Sequence, residues 1–127
     1  EDKDRAEIGT FAIELTSEGR ADPLFEEFPD RFHVQLGHND RVSELGPGWL
    51  DLARSELCPT QAIRLAGKPV YGTQFHSEMD EERLRERILV FLRDYVPDEE
   101  THRKILWRLR PSIEADRLLQ LFLERYA

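Results

Sequence analysis

Residues Val70–Glu78, with the sequence VYGTQFHSE, carry the strongest structural and chemical signal in the chain. The β-branched and aromatic residues of Val70–Phe75 predict a buried strand. His76 and Glu78 follow its end two positions apart, so their side chains are expected to point the same way. A carboxylate on one ring nitrogen fixes the histidine tautomer and leaves the other nitrogen free as a base. The pattern therefore predicts two members of a nucleophile–base–orienter triad.

The string YGTQFHSE resembles the pattern V/I-Y/F-G-x-Q-F-H-P-E of class I glutamine amidotransferases. The resemblance implies that His76 is the general base and Glu78 its orienting acid in a Cys-His-Glu triad. Such a site hydrolyses glutamine to glutamate and ammonia. Ser77 stands where the family pattern has proline, and this difference removes no functional group.

A further strand and loop are predicted at residues 32–40. Residues 32, 34 and 36 are apolar and should share one face, whereas His33 and Gln35 should lie on the other. The loop G-H-N-D resembles the family motif S-H-G-D, whose backbone amides contact the amino-acid end of glutamine. By this resemblance the substrate-binding residues are Gly37, His38, Asn39 and Asp40. The alternative is that His38 anchors the loop through a hydrogen bond to nearby backbone.

The remaining strands are predicted at residues 10–16, 49–55 and 61–66. The connections between residues 49 and 75 are too short for parallel crossovers, so these strands should be antiparallel neighbours. Between the first two strands, residues 17–19 favour a turn and Asp22-Pro23 favours a helix start. The segments LTSEGRADPLF and LARSELCPTQA resemble stretches of the same family.

Cys58 is the only cysteine in the chain. A sole cysteine with a histidine and a glutamate invites a triad interpretation. A reactive elbow needs small residues at a strand-to-helix turn, whereas Leu57-Cys58-Pro59-Thr60 lacks glycine and runs into a predicted strand. Cys58 is therefore predicted to be a small, semi-buried side chain and not the nucleophile.

The rest of the chain is predicted to be helical. Asp80 should cap a helix that ends before Pro97. Its apolar stripe is Leu84, Ile88, Phe91 and Leu92, with Val90 and Tyr95. Two more helices are expected at residues 98–110 and 113–123, the first with Ile105, Leu106 and Leu109 on one side and Trp107 near it. This tail is expected to brace the sheet, and the alternative is a docking surface.

The fold implied by the resemblance is α/β, the C-terminal half of a flavodoxin-like class I glutamine amidotransferase domain. It has a mixed sheet with antiparallel hairpins, followed by C-terminal helices. Residues 1–97 would form the amidotransferase part, and residues 98–127 a helical extension packing on it. The upstream G-x-C-x-G-x-Q turn with the nucleophile is expected to lie in a missing N-terminal half.

The amino-acid composition disfavours several classes of binding partner. The 127 residues carry 18 basic and 26 acidic side chains, a net charge of −8, which disfavours nucleic-acid binding. No apolar run is long enough for a membrane span, no signal peptide opens the chain, and a single cysteine fits a reducing, cytoplasmic setting. No cofactor and no metal are expected.

The function expected from the resemblance is part of a glutaminase, with glutamine as substrate and no activity without the thiol. The missing N-terminal half is one expected partner, and a synthase partner or self-association is another. Two other function classes are weighed against this one. The first is a non-catalytic amidotransferase-like binding or interaction module, and the second is a structural α/β domain in which His76 is an ordinary strand-end histidine.

Overall fold

The structure, a computed structural model, describes residues 6–95 and 98–127. Its elements, in chain order, are β1 (Glu7–Leu15), α1 (Ser17–Ala21), β2 (Arg31–His38), β3 (Trp49–Arg54), β4 (Ala62–Leu65), β5 (Tyr71–Thr73), α2 (Glu81–Tyr95), α3 (Glu99–Arg108), α4 (Ile113–Asp116) and α5 (Leu118–Tyr126). The strands form one sheet in the order β2-β1-β3-β4-β5, and every pairing among them is antiparallel. None of the helices in these described residues has the length and apolarity needed to cross a bilayer.

The main hydrophobic core gathers residues from the sheet, from the turn after α1 and from the last two helices. Strand β2 contributes its predicted apolar face, with Phe32, Val34 and Leu36 almost completely buried. Ile13 and Leu15 of β1, Leu52 of β3 and Phe25 of the turn after α1 join them, as do Ala115 and Leu118 from the tail. The tail therefore belongs to the same packed core as the sheet.

The sheet is curled so that its two ends meet. Strand β2 lies at one edge and β5 at the other. After β5 the chain turns back, and the backbone N–H of His76 donates to the carbonyl of Gln35 in β2 at 2.9 Å. This single antiparallel bridge places His76 against β2.

The predicted buried strand at Val70–Phe75 is shorter and more exposed than expected. Only Tyr71–Thr73 form strand β5, Val70 is exposed, and Phe75 alone is buried. The physical reason is position, because β5 is an edge strand and pairs only with β4. The antiparallel arrangement of β3, β4 and β5 is confirmed.

The predicted helix start at Asp22-Pro23 is wrong. The helix lies earlier, at Ser17–Ala21, where Thr16 Oγ1 accepts from the Gly19 N–H at 3.0 Å. Asp22 instead ends the helix, and its carboxylate accepts from the Leu24 N–H at 2.9 Å in a local turn. Ser17 and Gly19 favour a turn in the sequence, but they lie in helix α1 because the Thr16 side chain caps its first turn.

Helix α2 confirms the predicted cap, since Asp80 accepts from the Arg83 N–H at 2.9 Å. Leu84 and Ile88 are buried against the tail. Val90 does not share their stripe and is 68% exposed. The side chains of Phe91, Leu92 and Tyr95 lie outside the described part of the structure.

The tail forms three helices where two were predicted. Asp98 caps α3 as its position indicates, but Trp107 is exposed instead of lying near the apolar side. The helix predicted at residues 113–123 is divided at Arg117 into α4 and α5. Ile113 faces outward because the chain enters α4 through the buried Ser112, which is held by side-chain hydrogen bonds.

Candidate active site

His76 and Glu78 meet at the rim of the sheet, in the arrangement that the sequence predicts. Nδ1 of His76 lies 2.7 Å from Oε1 of Glu78. A carboxylate can only accept, so Nδ1 carries the proton and donates it to Glu78. The neutral imidazole then has Nε2 as its free lone pair, which is the state required of a general base. The side chain of His76 is 30% exposed, so this base is accessible.

Gly37 lies beside the free nitrogen of His76. A β-carbon built on Gly37 would be 4.0 Å from Nε2, in ordinary van der Waals contact. A larger side chain at this position would extend toward the ring. The absence of a side chain therefore leaves room for a reacting group next to Nε2.

The surroundings of Glu78 favour the ionised form of its carboxyl group. Burial alone would raise the pKa of Glu78, but hydrogen bonds from its own backbone N–H and from His76, with the charges of His76 and Arg87, outweigh burial and lower the pKa below the ordinary 4.5. An ionised carboxylate at neutral pH fixes the His76 tautomer and stabilises the imidazolium that forms when His76 takes a proton.

The loop predicted to bind substrate is tied down through Asp40. The Asp40 carbonyl accepts from Nε2 of Gln74 at 2.8 Å and lies 2.8 Å from Nδ1 of His38. His38 thus makes the backbone contact expected of a loop-anchoring histidine. Gly37 and Asn39 are exposed. The substrate contacts proposed for residues 37–40 stay a prediction.

The second ring nitrogen of His38 reaches a buried acid. Nε2 lies 3.0 Å from Oε1 of Glu7, which is 1% exposed. Glu7 also accepts from Ser55 Oγ at 2.7 Å and from Gln61 Nε2 at 2.8 Å. Because Nδ1 donates to a carbonyl, a proton must also lie between Nε2 and the Glu7 carboxyl group. These four side chains fasten the loop to β1 and to the turn before β4.

The role of Glu7 was missed in the sequence, where it belongs to a charged leading segment. One signal was available, since Ser55 ends one predicted strand and Gln61 begins the next. Polar side chains need hydrogen-bond partners when buried. A search for the shared acceptor of Ser55 and Gln61 would have pointed to an acid on a neighbouring strand.

Cys58 is completely buried, where the sequence predicts a semi-buried side chain. Its Sγ donates to the Thr60 carbonyl at 3.3 Å. Burial raises the pKa of Cys58, the Thr60 hydrogen bond lowers it, and the nearby charge of Glu7 raises it further. The thiol therefore stays protonated at neutral pH, whereas a nucleophile must ionise.

Glu7, His38 and Cys58 also place a carboxylate oxygen, a ring nitrogen and a sulfur within 4.8 Å of one another. This is the one grouping of metal-ligand type in the described residues. Each of these groups already has a hydrogen-bond partner inside the protein. The grouping therefore serves as a satisfied polar core.

A groove of about 370 Å³ lies elsewhere in the described residues. It runs between the turn after α1 and helix α5. Its lining residues are Pro23, Leu24, Glu27, Arg117, Leu121, Glu124 and Arg125. His76 and Glu78 are not among them, and both side chains are partly exposed.

The family described as glutamine amidotransferase class-I matches residues 3–92, and the chain therefore belongs to the class I glutamine amidotransferase family. The α/β fold class inferred from the sequence is confirmed.

Within this family the chain is similar to GMP synthases. It is 37% identical over 89 residues to a glutamine-hydrolyzing GMP synthase of Thermosipho melanesiensis, and the aligned part covers 70% of this chain and 17% of the relative. It is 40% identical over 76 residues to a glutamine-hydrolyzing GMP synthase subunit of Thermococcus kodakarensis, covering 60% and 39%. The solved structure of a glutamine amidotransferase from Thermotoga maritima superposes with a TM-score of 0.71 at 27% identity, covering 94% of this chain and 50% of that one.

These shares have a consequence for function. The chain spans well under half the length of these two GMP synthase relatives and half of the solved amidotransferase. It is a class I glutamine amidotransferase domain of the GMP synthase-like kind. The catalytic activity of the complete enzymes is therefore not assigned to this chain, because the chain matches only part of them.

Proposed function

We propose that the chain supplies the general base and its orienting acid to a glutamine-hydrolysing site. The observation that carries this proposal is the 2.7 Å contact between Nδ1 of His76 and Glu78, with Nε2 left beside Gly37. A nucleophile that must lose a proton, and a leaving amine that must gain one, both need such a base.

The chemistry requires a thiol from outside these 127 residues. Nε2 of His76 takes the thiol proton, and the thiolate attacks the side-chain amide carbon of glutamine. The amide C–N bond then breaks as the imidazolium returns the proton to the leaving ammonia. Water, activated by the same Nε2, hydrolyses the thioester to glutamate and frees the thiol. Cys58 does not fit this role because it is buried and protonated.

Two parts of the machinery are assigned by family membership alone. The first is the set of donors for the oxyanion, which we place with the thiol. The second is the acceptor of ammonia. Since the chain is similar to GMP synthases, we propose a synthetase partner that consumes the ammonia, with self-association of the chain as the competing assembly.

The first test is ammonia release from glutamine. We expect none from the 127-residue chain alone, because loss of the nucleophile costs several orders of magnitude in rate. Release by the pure chain would overturn the assignment of the thiol to another segment.

The second test uses the glutaminase formed when the chain is joined to a nucleophile-bearing part. There, His76→Ala should lower turnover by several orders of magnitude, and Glu78→Gln by less, because the amide still occupies the space beside Nδ1. His33→Ala changes an exposed histidine of β2 and is the matched control. Wild-type turnover in the His76→Ala protein would reject the proposal. Glutamine binding without turnover in the wild-type assembly would favour a binding module instead.

A further inference from the structure

The side chain of Gln35 joins strand β2 to the C-terminal tail. Gln35 is completely buried, although its place in the alternation of β2 predicts the side away from the core. Its Nε2 donates to the Arg110 carbonyl at 2.7 Å and to Ser112 Oγ at 3.1 Å. Its Oε1 accepts from the Thr10 hydroxyl at 2.8 Å. The sequence could not reveal this because the partners lie 75 and 77 positions away.

The main chain of the same residue holds His76. The Gln35 carbonyl accepts from the His76 N–H at 2.9 Å, and the two residues form an isolated bridge outside the regular strands. The direction of an imidazole depends on the backbone position from which it projects. A shift of Gln35 would therefore move the ring of His76 relative to Glu78.

We propose that Gln35 is a positioning residue that couples the segment Arg110–Ser112 to His76. This inference rests on the proposed role of His76 as the base. Glutamine suits the position because its amide has two donor hydrogens and an acceptor oxygen, and the structure pairs all three. A fully paired buried amide has one preferred orientation, since any rotation leaves a polar group unsatisfied.

The tail end of this connection is itself held on two sides. Ser112 Oγ donates to Asp116 at 2.8 Å, which ties it to helix α4. The Arg110 N–H donates to Thr10 Oγ1 at 2.8 Å, which ties the same segment to β1. The segment Arg110–Ser112 thus transmits the position of the tail helices to β2. In this arrangement the tail is a component of the active-site framework.

The test replaces Gln35 by methionine, which is similar in length and lacks the amide. In the chain labelled with ¹⁵N-histidine, the wild-type Nδ1–H resonance of His76 should be sharp because Glu78 holds that proton. In Gln35→Met we expect the resonance to shift and exchange faster with solvent. In the assembled glutaminase, kcat should fall by about tenfold while KM for glutamine is unchanged, since small misplacements of a catalytic group are costly.

Two further variants separate positioning from general loss of stability. Ser112→Ala removes one acceptor of the Gln35 amide without changing β2, and should produce the same effects to a smaller degree. If Gln35→Met fails to fold, the His76 resonance in Ser112→Ala alone decides whether the tail segment is coupled to His76. Tyr126→Phe is the matched control, because it removes a different side-chain anchor of the tail, the 2.9 Å contact with the Tyr71 hydroxyl. It should lower stability and leave the His76 resonance unchanged.

The readouts also separate this inference from the proposed function. An unchanged His76 resonance in both Gln35→Met and Ser112→Ala would overturn the coupling, whatever the activity. An equal change in Tyr126→Phe would overturn it as well. A changed resonance in an assembly that never releases ammonia would support the coupling and reject the glutaminase role.

Discussion

At the scale of single residues, the described part of the chain contains two histidine–glutamate pairs that differ in burial. His76 and Glu78 are partly exposed, with the Glu78 side chain 57% accessible. His38 and Glu7 are buried, at 8% and 1%. Exposed pairs contribute little to stability and leave a nitrogen available, whereas a buried pair is costly to break and holds structure. Burial therefore favours a structural role for the second pair, and the exposure of the first leaves it accessible for the role proposed above.

The exposed pair predicts a specific pH dependence. The pKa of Glu78 is lowered in the folded state, so its contribution to stability is complete above the unfolded value near 4.5 and is lost as pH falls through the folded value. Glu78→Gln should therefore be less stable than the wild type at pH 7, by well under about 1 kcal/mol because the side chain is exposed. Below the folded pKa the two proteins should be equally stable. Urea unfolding in a series from pH 7 down through the acidic range measures both differences.

Glu44→Gln is the control for the pH prediction, because Glu44 is an exposed loop residue. Its stability should follow the wild type throughout the pH series. A gap between Glu78→Gln and the wild type that does not shrink as the pH falls would contradict the assigned ionisation of Glu78.

At the scale of elements, helix α1 depends on one close approach. A β-carbon on Gly19 would overlap the carbonyl oxygen of Leu52 in β3, so this glycine is required by packing and not by a turn. Gly19→Ala should lower the free energy of unfolding by about 3 kcal/mol, since main chain cannot move aside easily. Ser17→Ala, at an exposed position of the same helix, should change it by less than about 0.5 kcal/mol. Urea denaturation of both variants checks the contrast, and similar values would refute it.

The requirement for glycine at position 19 is a feature that the sequence does not reveal, because the group it contacts, the Leu52 carbonyl, is distant in the chain. Features that depend on neighbours in the chain were predicted correctly, namely the hairpins of β3 to β5, the cap at Asp80, and the proximity of His76 to Glu78. Features set by distant segments were not. The edge position of β5 depends on sheet order, and the burial of Gln35 depends on residues 110–112. Local pattern carries no information about either.

At the scale of the whole molecule, the tail and the sheet share their cores. Leu118 of α5 and Ala115 of α4 lie in the main cluster. Leu109 packs with Leu84 and Ile88 of α2 in a second one. A boundary at residue 97 would separate side chains that are buried against each other, so we expect residues 6–127 to unfold as one cooperative unit.

Cooperative unfolding can be followed with two probes in one variant. Trp107→Phe removes the exposed tryptophan of α3 and leaves Trp49 in β3 as the reporter of the sheet. Far-UV circular dichroism reports the helices, most of which lie in α2 and the tail. The two signals should give the same urea midpoint.

Adding Leu118→Ala should lower both midpoints together. The free energy of unfolding should fall by about 3 kcal/mol, because truncating a buried leucine leaves a cavity. A helical transition that precedes the Trp49 transition would show that the tail is an independent extension, and it would also remove the physical basis for coupling the tail to His76.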